Sequence, residues 1–191
     1  MSDKPALTYS DVLLVPQYSD IVSRKEVDIT SYLDKNRPFT LPVISSPMDT
    51  ITEHSMANAM SKAGGLGIIH RYNSIEMQIH HLSQVKTSEH KAAAIGISGD
   101  YLERTHALYE SGTRILCLDV AHGHHILMEK AIDKIKSLYS DIHIMAGNVA
   151  TTSGFEALSN WGADSIRCTI GGGSICSTRI QTGHGVPGLQ T

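Results

Sequence analysis

The sequence is poor in cysteine, in aromatic residues and in long apolar runs. Its 191 residues include three cysteines, none in a C-x-x-C spacing, and only 5% aromatic side chains. Three cysteines without a paired spacing fit a reducing compartment, so we expect a cytoplasmic protein. The sequence has neither a recognisable signal peptide nor an apolar run of transmembrane length, so we expect no membrane association.

Clustered charge is also absent. The net charge is −3 and the basic residues are scattered, which gives no electrostatic footprint for a nucleic-acid polymer. With 41% hydrophobic residues the chain can form one domain with a sizeable core. His122, His124 and His125 lie close together, but no cysteine or carboxylate pattern completes a metal-ligand set. We therefore interpret them as exposed loop histidines.

What the sequence does have is a glycine-rich segment around one cysteine. Residues 171–187 read GGGSICSTRIQTGHGVP, with five glycines between positions 171 and 185. Successive backbone N–H groups in such a loop can form an anion site, to which Ser174 adds a hydroxyl. These donors would stabilise a thiolate, which makes Cys176 a candidate covalent nucleophile. Composition alone leaves a second interpretation open, a glycine-rich turn with an inert cysteine.

Short apolar stretches alternate with amphipathic ones along most of the chain. A short buried strand that breaks into a Ser-Pro loop is predicted within 41–50. Further strands are predicted at 65–70, 92–98, 114–121, 142–148 and 165–171, and helices at 51–63, 75–85, 100–111, 124–139 and 152–161. This alternation predicts parallel strands joined by right-handed crossovers, an α/β fold. Residues 7–16 are expected to pack on the core as an entry segment, and residues 17–40 to form a polar arm with weak strands.

Polar residues follow each predicted strand, where parallel α/β proteins bind ligands. Each also has a structural explanation: Asp119 as a helix cap, Asn148 as a partner of loop backbone, His70 as a packed histidine, Met48 as filler. Their number at one rim favours a functional interpretation. The set comprises Ser45, Ser46, Met48, Asp49, His70, Arg71, Ser98, Asp119, His122, Asn148 and the cysteine loop.

The cysteine loop resembles that of the inosine monophosphate dehydrogenase and guanosine monophosphate reductase family, whose usual form is G-P-G-S-I-C-T-T-R followed by T-G-V-G-x-P. The stretches LTYSDVLLVP, ISSPMDTITE, GGLGIIHRYNSIE, LDVAHGH and AGNVAT also resemble family segments, in family order. The resemblance implies a TIM (β/α)₈ barrel, here about its first six βα units. It further implies a homo-oligomer that binds IMP or GMP and a nicotinamide cofactor. The regulatory CBS insert of many dehydrogenases is not expected, because Val85 runs almost directly into the next strand.

The resemblance also implies roles for individual residues. Cys176 would be the nucleophile that adds to C2 of the purine, with Thr178 as a catalytic-loop hydroxyl. Ser174 would bind the nucleotide phosphate, and Ser46 and Met48 the nucleoside. The remaining roles are cofactor binding by Asp119, Asn148 and Arg167, and binding of a potassium ion by the carbonyls of Gly171, Gly173 and Cys176.

Within the family, the segments SSPMDTITE and GGLGIIH and the residue His122 resemble dehydrogenases, whereas reductases tend to have asparagine at that position. We therefore expect NAD-dependent oxidation of IMP to XMP. The alternative is an NADPH-dependent GMP reductase, which would convert GMP to IMP and ammonia. A third possibility is a non-catalytic half-barrel that binds nucleotide or a complementary subunit.

Three departures from the family pattern stand out. Thr169 occupies a position where the family usually has glycine, and Gly172 replaces the usual proline. We expect Thr169 to crowd the cofactor or distort the loop. The chain also ends at Thr191, soon after the sixth predicted strand. We expect it to lack two strands, a phosphate-binding segment, the flap and an Arg-Tyr pair that activates water. On this interpretation the chain has no turnover alone, and a C-terminal half-barrel chain is a possible partner.

Overall fold

The computed structural model describes residues 5–87 and 91–191. An N-terminal arm contains two 3₁₀ turns, Tyr9–Asp11 and Arg24–Glu26, and leads into an antiparallel hairpin of β1 (Ser31–Asp34) and β2 (Arg37–Phe39). A six-stranded parallel sheet follows, with its strands in sequence order. They are β3 (Ile44–Ser45), β4 (Leu66–Ile69), β5 (Ala92–Ile95), β6 (Ile115–Asp119), β7 (His143–Val149) and β8 (Ser165–Cys168).

Helices connect the successive parallel strands. They are α1 (His54–Ala63), α2 (Ile75–Ser83), α3 (Tyr101–Glu110), α4 (Ile126–Leu138) and α5 (Thr152–Asn160), and a short α6 (Thr178–Thr182) follows β8. This order confirms the predicted series of βαβ units. The sheet curls as part of a TIM barrel does. The connection from α2 to β5 includes residues 88–90, so the predicted direct passage from Val85 lies partly outside the described residues.

The two faces of the sheet bury different sets of residues because side chains alternate along each strand. In β6, Leu116 and Leu118 face the helices and pack with Ile132 and Ile135 of α4. Ile115 and Cys117 belong to the opposite face. Phe39 of the hairpin packs on that concave face together with Leu66, Ile68, Ala92, Ala94 and Met145. Burying each of the larger side chains stabilises the fold by about 1.5–3 kcal/mol.

Hydrogen bonds also hold the hairpin against the sheet. Asp34, at the end of β1, lies 2.6 Å from Nδ1 of His143, the first residue of β7. The other ring nitrogen of His143 lies 2.8 Å from Oγ of Ser165 in β8. Because His143 is only 2% exposed, these two hydrogen bonds satisfy a buried imidazole. They fix the hairpin at the end of the sheet opposite the polar rim.

Local sequence explains where the helices begin and end. The Ser74 hydroxyl accepts a hydrogen bond from the Met77 N–H at the start of α2, and Thr151 does the same for Gly154 at α5. Helix α1 ends at Gly64, whose φ is +89°, as predicted from the Gly64-Gly65 pair. A Cβ at Gly64 would lie 1.9 Å from Oγ1 of Thr40, so glycine is also required there by space.

Three expectations about the N-terminal third are wrong. The short strand predicted within 41–50 was expected to be buried, but Ile44 is 38% exposed because the two-residue β3 is an edge of the sheet. Helix α1 begins at His54 and not at Ile51, because residues 48–52 form a turn in which the Thr52 N–H donates to the Met48 carbonyl. Leu13 and Leu14 do not pack on the core and are 96% and 97% exposed.

Candidate active site at the carboxyl ends of the strands

Polar side chains from the last three strands meet at one end of the sheet, as the parallel arrangement predicts. Asp119 ends β6, Asn148 lies near the end of β7, and Arg167 belongs to β8. Nη1 of Arg167 lies 2.5 Å from Oδ1 of Asp119 and 3.6 Å from Sγ of Cys117. The Arg167 and Asp119 side chains are only 28% and 16% exposed, so they form a partly buried ion pair.

The surroundings of this ion pair leave one carboxylate oxygen of Asp119 available to a ligand. Burial raises the pKa of Cys117 to about 11, so this thiol stays neutral at physiological pH. Oδ1 of Asp119 accepts from Arg167, whereas Oδ2 accepts no hydrogen bond from any described residue. Asp119 can therefore accept a hydrogen bond from a ligand hydroxyl without losing its partner.

Asn148 ties the ends of β6 and β7 together. Its side-chain amide donates to the Val120 carbonyl at 3.3 Å, and its own carbonyl accepts from the Gly123 N–H at 2.7 Å. The preceding residue, Gly147, lies directly against β8. A Cβ at Gly147 would be 2.7 Å from Cβ of Arg167 and 2.9 Å from its carbonyl oxygen. Glycine at this position lets Arg167 approach Asp119.

The cysteine loop is a closed structure that leaves the end of β8. Its base is a β-bridge in which the Val186 N–H donates to the Ile170 carbonyl at 2.9 Å. Inside the loop, the Arg179 side chain runs between two glycines. A Cβ at Gly171 or Gly185 would lie 2.7 Å or 2.9 Å from Cγ of Arg179. These glycines therefore make room for an arginine side chain, a role that composition did not reveal.

Cys176 is partly exposed within this loop. Hydrogen bonds from the hydroxyl and then from the backbone N–H of Thr178 hold the pKa of its thiol below the ordinary value. The predicted ease of ionisation is confirmed in direction, but the donors are Thr178 and not the glycine amides or Ser174. Cys176 and Thr178, the two predicted catalytic residues, are thus in contact. Ser174 is exposed on the same loop.

One of the three carbonyls predicted to hold potassium already accepts hydrogen bonds. The Gly173 carbonyl accepts from the Cys176 N–H at 3.1 Å and from Nη2 of Arg179 at 3.3 Å. A cation at this carbonyl would lie beside the guanidinium of Arg179 and be repelled by it. In this conformation the Gly173 carbonyl is a poor ligand for a potassium ion, and the potassium site that also includes Gly171 and Cys176 stays a prediction.

A cavity of about 410 Å³ separates the cysteine loop from the ends of β6 and β7. Thr178 lines it from the loop, and His122, Val149 and Ala150 line it from the rim. The cavity therefore joins the predicted catalytic loop to His122. It is also lined by His184, a residue that sequence reasoning missed. The sequence did contain a signal for this residue, because His184 replaces the valine of the family pattern T-G-V-G-x-P.

Ser46 and Met48 lie at the same rim but apart from the loop. Both are exposed, and the Ser46 carbonyl accepts from the Thr52 hydroxyl at 2.6 Å and from the Met48 N–H at 2.9 Å. Within the described residues, no hydrogen bond joins this turn to the Cys176 loop. The predicted nucleoside contacts and the predicted nucleophile are thus separate parts of one rim.

A histidine cluster beside this turn was not predicted. Nε2 of His81 and Nε2 of His70 lie 3.4 Å and 3.5 Å from Oε1 of Glu53, and Nδ1 of His81 lies 3.0 Å from Nδ1 of His54. His70 is 3% exposed, which bears out its interpretation as a packed histidine. In the ranges 5–87 and 91–191, no three His, Cys, Asp or Glu side chains are arranged to hold a metal ion. Nor does any helix there combine the length and apolarity needed to cross a membrane.

The structure explains the departure at Thr169. This residue has φ = +101°, a conformation that side chains with a Cβ rarely adopt and that glycine adopts readily. Its N–H donates to the Val149 carbonyl at 2.8 Å, which holds the residue in place between β8 and the loop. Glycine, the usual family residue here, would adopt this backbone conformation readily, whereas Thr169 adopts it with strain.

Comparisons with known proteins agree with this arrangement. A family model described as "IMP dehydrogenase / GMP reductase domain" matches residues 6–191. The inosine-5'-monophosphate dehydrogenase of Borreliella burgdorferi is 35% identical over 96% of this chain and 58% of its own length. The enzyme of the same name from Cryptosporidium parvum is 36% identical over 95% of this chain and 55% of its own length. The GMP reductase of Streptococcus equi subsp. equi is 33% identical over 99% of this chain and 58% of its own length. The chain thus spans little more than half of these relatives.

Proposed function

The chain belongs to the IMP dehydrogenase / GMP reductase family, and on that basis we propose that it carries the nucleophile and part of the cofactor site of a purine nucleotide oxidoreductase. The proposed reaction is NAD-dependent oxidation of IMP to XMP. The observation that supports it most directly is the Cys176 thiol, whose pKa is lowered by Thr178 beside the cavity that contains His122.

In the proposed reaction the Cys176 thiolate adds to C2 of the purine and forms a C–S bond. The hydrogen on C2 then leaves with its electron pair as hydride, which gives a thioimidate on the cysteine. The nicotinamide cofactor, when bound, supplies the hydride acceptor. Water next adds to C2 and the C–S bond breaks, which releases XMP and returns the thiolate. Thr178 supports the first and last steps, because its hydrogen bonds favour the thiolate over the thiol.

The proposed binding roles start from the family resemblance. Asp119 keeps one carboxylate oxygen for a ribose hydroxyl while Arg167 holds the other, and Asn148 fixes the adjoining backbone. Ser174 is proposed to meet the nucleotide phosphate, and Ser46 and Met48 the nucleoside. We assign no step to potassium, because the Gly173 carbonyl already accepts a hydrogen bond from Arg179.

We further propose that additional strands complete the barrel along the edges β3 and β8. Both edge strands are partly exposed, and each leaves one row of backbone N–H and C=O groups unpaired within the described sheet. A complementary chain that supplied the C-terminal part of a relative would pair with these edges. Such a chain would also supply the groups that activate water in the proposed hydrolysis.

The test is to follow NADH formation at 340 nm with IMP and NAD, and NADPH consumption with GMP. Both are measured for the chain alone and after mixing with the C-terminal part of the Borreliella relative. We expect NADH formation only in the mixture, and none with Cys176→Ala. Faster NADPH oxidation with GMP would establish the reductase instead, which the similarity to a GMP reductase makes the second candidate. Undiminished turnover by Cys176→Ala would contradict the proposal.

A further inference from the structure

The hydrogen bonds around His143 join three side chains in the order carboxylate, imidazole, hydroxyl. Oδ2 of Asp34, at the end of β1, lies 2.6 Å from Nδ1 of His143, and Oγ of Ser165 lies 2.8 Å from Nε2 of the same ring. The three residues come from β1, β7 and β8. They meet at the end of the sheet opposite the rim that carries Cys176, and the proposed oxidoreductase reaction uses none of them.

The protonation of this chain of groups follows from the carboxylate. Burial raises the pKa of Asp34, but its hydrogen bonds, that with His143 among them, bring the pKa below its ordinary value. An ionised carboxylate only accepts hydrogen bonds, so Nδ1 of His143 carries the proton. Burial also holds the pKa of His143 below its ordinary value, so the ring is neutral at physiological pH. Nε2 therefore has a free lone pair, to which the Ser165 hydroxyl donates.

This arrangement meets the geometric requirement for an activated serine. A serine nucleophile needs a base within about 2.6–3.2 Å of Oγ, and a third group that orients the base. In such a site the imidazole takes the hydroxyl proton, and the carboxylate fixes the tautomer and stabilises the imidazolium that forms. Partners of any kind could satisfy a buried imidazole, whereas here a carboxylate faces one nitrogen and a partly exposed hydroxyl, that of Ser165, faces the other.

A polar cleft of about 590 Å³ lies against these groups. Asp34 and His143 line it, as does Asp164, which directly precedes Ser165. The volume is within the roughly 300–1,000 Å³ of small-molecule sites. Lys35 and Lys136 are also part of the lining, so the cleft is charged and suits a short polar group better than a long apolar chain.

We propose that Ser165, His143 and Asp34 form a second active site, which hydrolyses esters of short, polar carboxylic acids. Oγ of Ser165 adds to the carbonyl carbon of the ester while its proton passes to Nε2 of His143. The bond from that carbon to the leaving alcohol then breaks, and His143 gives the proton to the alcohol oxygen. Water adds to the acyl carbon with His143 again as base, the bond to Oγ breaks, and the acid and free Ser165 are released. This site does not depend on the proposed purine reaction.

Lys136 is the residue of the cleft that is suited to the negative charge on the carbonyl oxygen. Its ammonium group donates to the Ile142 carbonyl at 2.7 Å and to Oδ2 of Asp164 at 2.6 Å. An ammonium group has three N–H donors, so one of them remains for a bound ester. A fixed donor of this kind stabilises the oxyanion that forms when Ser165 adds to the carbonyl.

The test uses two probes, p-nitrophenyl acetate for hydrolysis and a fluorophosphonate for covalent labelling of an activated serine. Every chain tested carries Cys176→Ala, because the loop thiolate would also react with the ester. Ser165→Ala removes the nucleophile. Ser140→Ala is the matched control, since Ser140 lines the same cleft, is exposed, and has no hydrogen bond to a histidine among the described residues.

We expect mass spectrometry of tryptic peptides to find the phosphonyl group on Ser165, in the parent chain and in the Ser140→Ala control. Ser165→Ala should lose the label. Hydrolysis should fall at least about hundredfold in Ser165→Ala and in His143→Gln, since a general base contributes about 10²–10⁴-fold. Ser165→Ala keeps the hydrogen bond between Asp34 and His143, and circular dichroism checks that both variants are folded.

The pH profile tests Asp34 as a positioning residue. The charged groups that face the His143 ring are Asp34 and Arg37 of the hairpin and Asp164 before β8. Hydrolysis should be constant above pH 6.5 and decline at lower pH, where the ring becomes protonated. Asp34→Asn should slow hydrolysis and move this decline to still lower pH, because Asp34 raises the pKa of His143. A purely structural Asp34 would leave the midpoint of the decline unchanged.

Several results would overturn the second site. These are absence of labelling in the parent chain, equal labelling of the parent and Ser165→Ala, and hydrolysis by His143→Gln as fast as by the parent. An unchanged midpoint in Asp34→Asn would remove Asp34 from the site. The assays contain neither IMP nor NAD, so their failure leaves the proposed purine reaction standing, and failure of that reaction leaves this site standing.

Discussion

Replacing Thr169 with glycine should stabilise the protein. Thr169 has φ = +101°, and a non-glycine residue in such a conformation costs about 1–3 kcal/mol. Glycine removes this strain but gains backbone freedom in the unfolded chain, which offsets about 0.5–1 kcal/mol. Thr169 is only partly buried and its hydroxyl makes no hydrogen bond with the described residues, so little else is lost. The net gain is about 1 kcal/mol, or roughly 2–4 °C in melting temperature for a chain of this size.

The measurement is urea unfolding followed by circular dichroism, with Thr169→Ala as the matched control. Alanine removes the same hydroxyl and methyl group but keeps the Cβ that causes the strain. We therefore expect Thr169→Gly to be more stable than wild type and Thr169→Ala to be no more stable than wild type. Equal free energies of unfolding for the two variants, or a glycine variant less stable than the wild type, would refute the argument from backbone strain.

Three further predictions concern other parts of the structure. Gly147→Ala should lower the free energy of unfolding by about 1–3 kcal/mol, since its Cβ would overlap the Arg167 backbone, and a change of less than about 0.5 kcal/mol in urea unfolding would contradict this. Burial holds the pKa of His143 below its ordinary value of 6.5, although Asp34 raises it. The stabilisation due to neutral His143 is therefore complete above pH 6.5 and declines as the pH falls through 6.5 towards the folded-state pKa. In melting scans from pH 8 to pH 5, His143→Gln should lose less stability than wild type as the pH falls. If the variant loses as much stability as wild type, His143 is not a source of this pH dependence. Iodoacetamide should alkylate Cys176 well before Cys117, because Thr178 favours the thiolate at one site and burial raises the pKa to about 11 at the other. Mass spectrometry of tryptic peptides checks this, and earlier modification of Cys117 would contradict it.

The parallel sheet could be predicted from the sequence because its strands are buried on both faces. In β5 and β6, runs such as Ala92–Ile95 and Ile115–Leu118 are fully buried, so the hydrophobic pattern follows the structure directly. The pattern failed at β3 and in the N-terminal arm, where apolar residues are exposed. Leu13 and Leu14 have the composition of a core segment, but no described element covers them. The hydrophobicity of a segment shows that its burial would be favourable. Burial also requires a neighbouring surface that covers the segment.

The site was predictable where strand ends fix a side chain and unpredictable where contacts cross between elements. Asp119 was assigned to the rim from its strand position and Arg167 to the same region from the family resemblance, and the two form an ion pair. The hydrogen bonds of Thr178 to Cys176 depend on the turn that begins α6, which the glycine content of the loop does not specify. The approach of His81 to Glu53 brings α2 beside the start of α1. Such contacts depend on helix placement and have no local sequence signal.

The strain at Thr169 and the reactivity of Cys176 should be separable, although both belong to the same segment. Thr169 is held from outside the loop by the Val149 carbonyl, and the loop itself is closed one residue later by the bridge from Ile170 to Val186. A change of backbone strain at position 169 should therefore leave the conformation of the loop after Ile170 unchanged. The interactions that lower the pKa of Cys176 come from Thr178, inside it. The stability of Thr169→Gly can consequently rise while the rate of Cys176 alkylation stays within about twofold of wild type, because the donors around the thiol are unchanged.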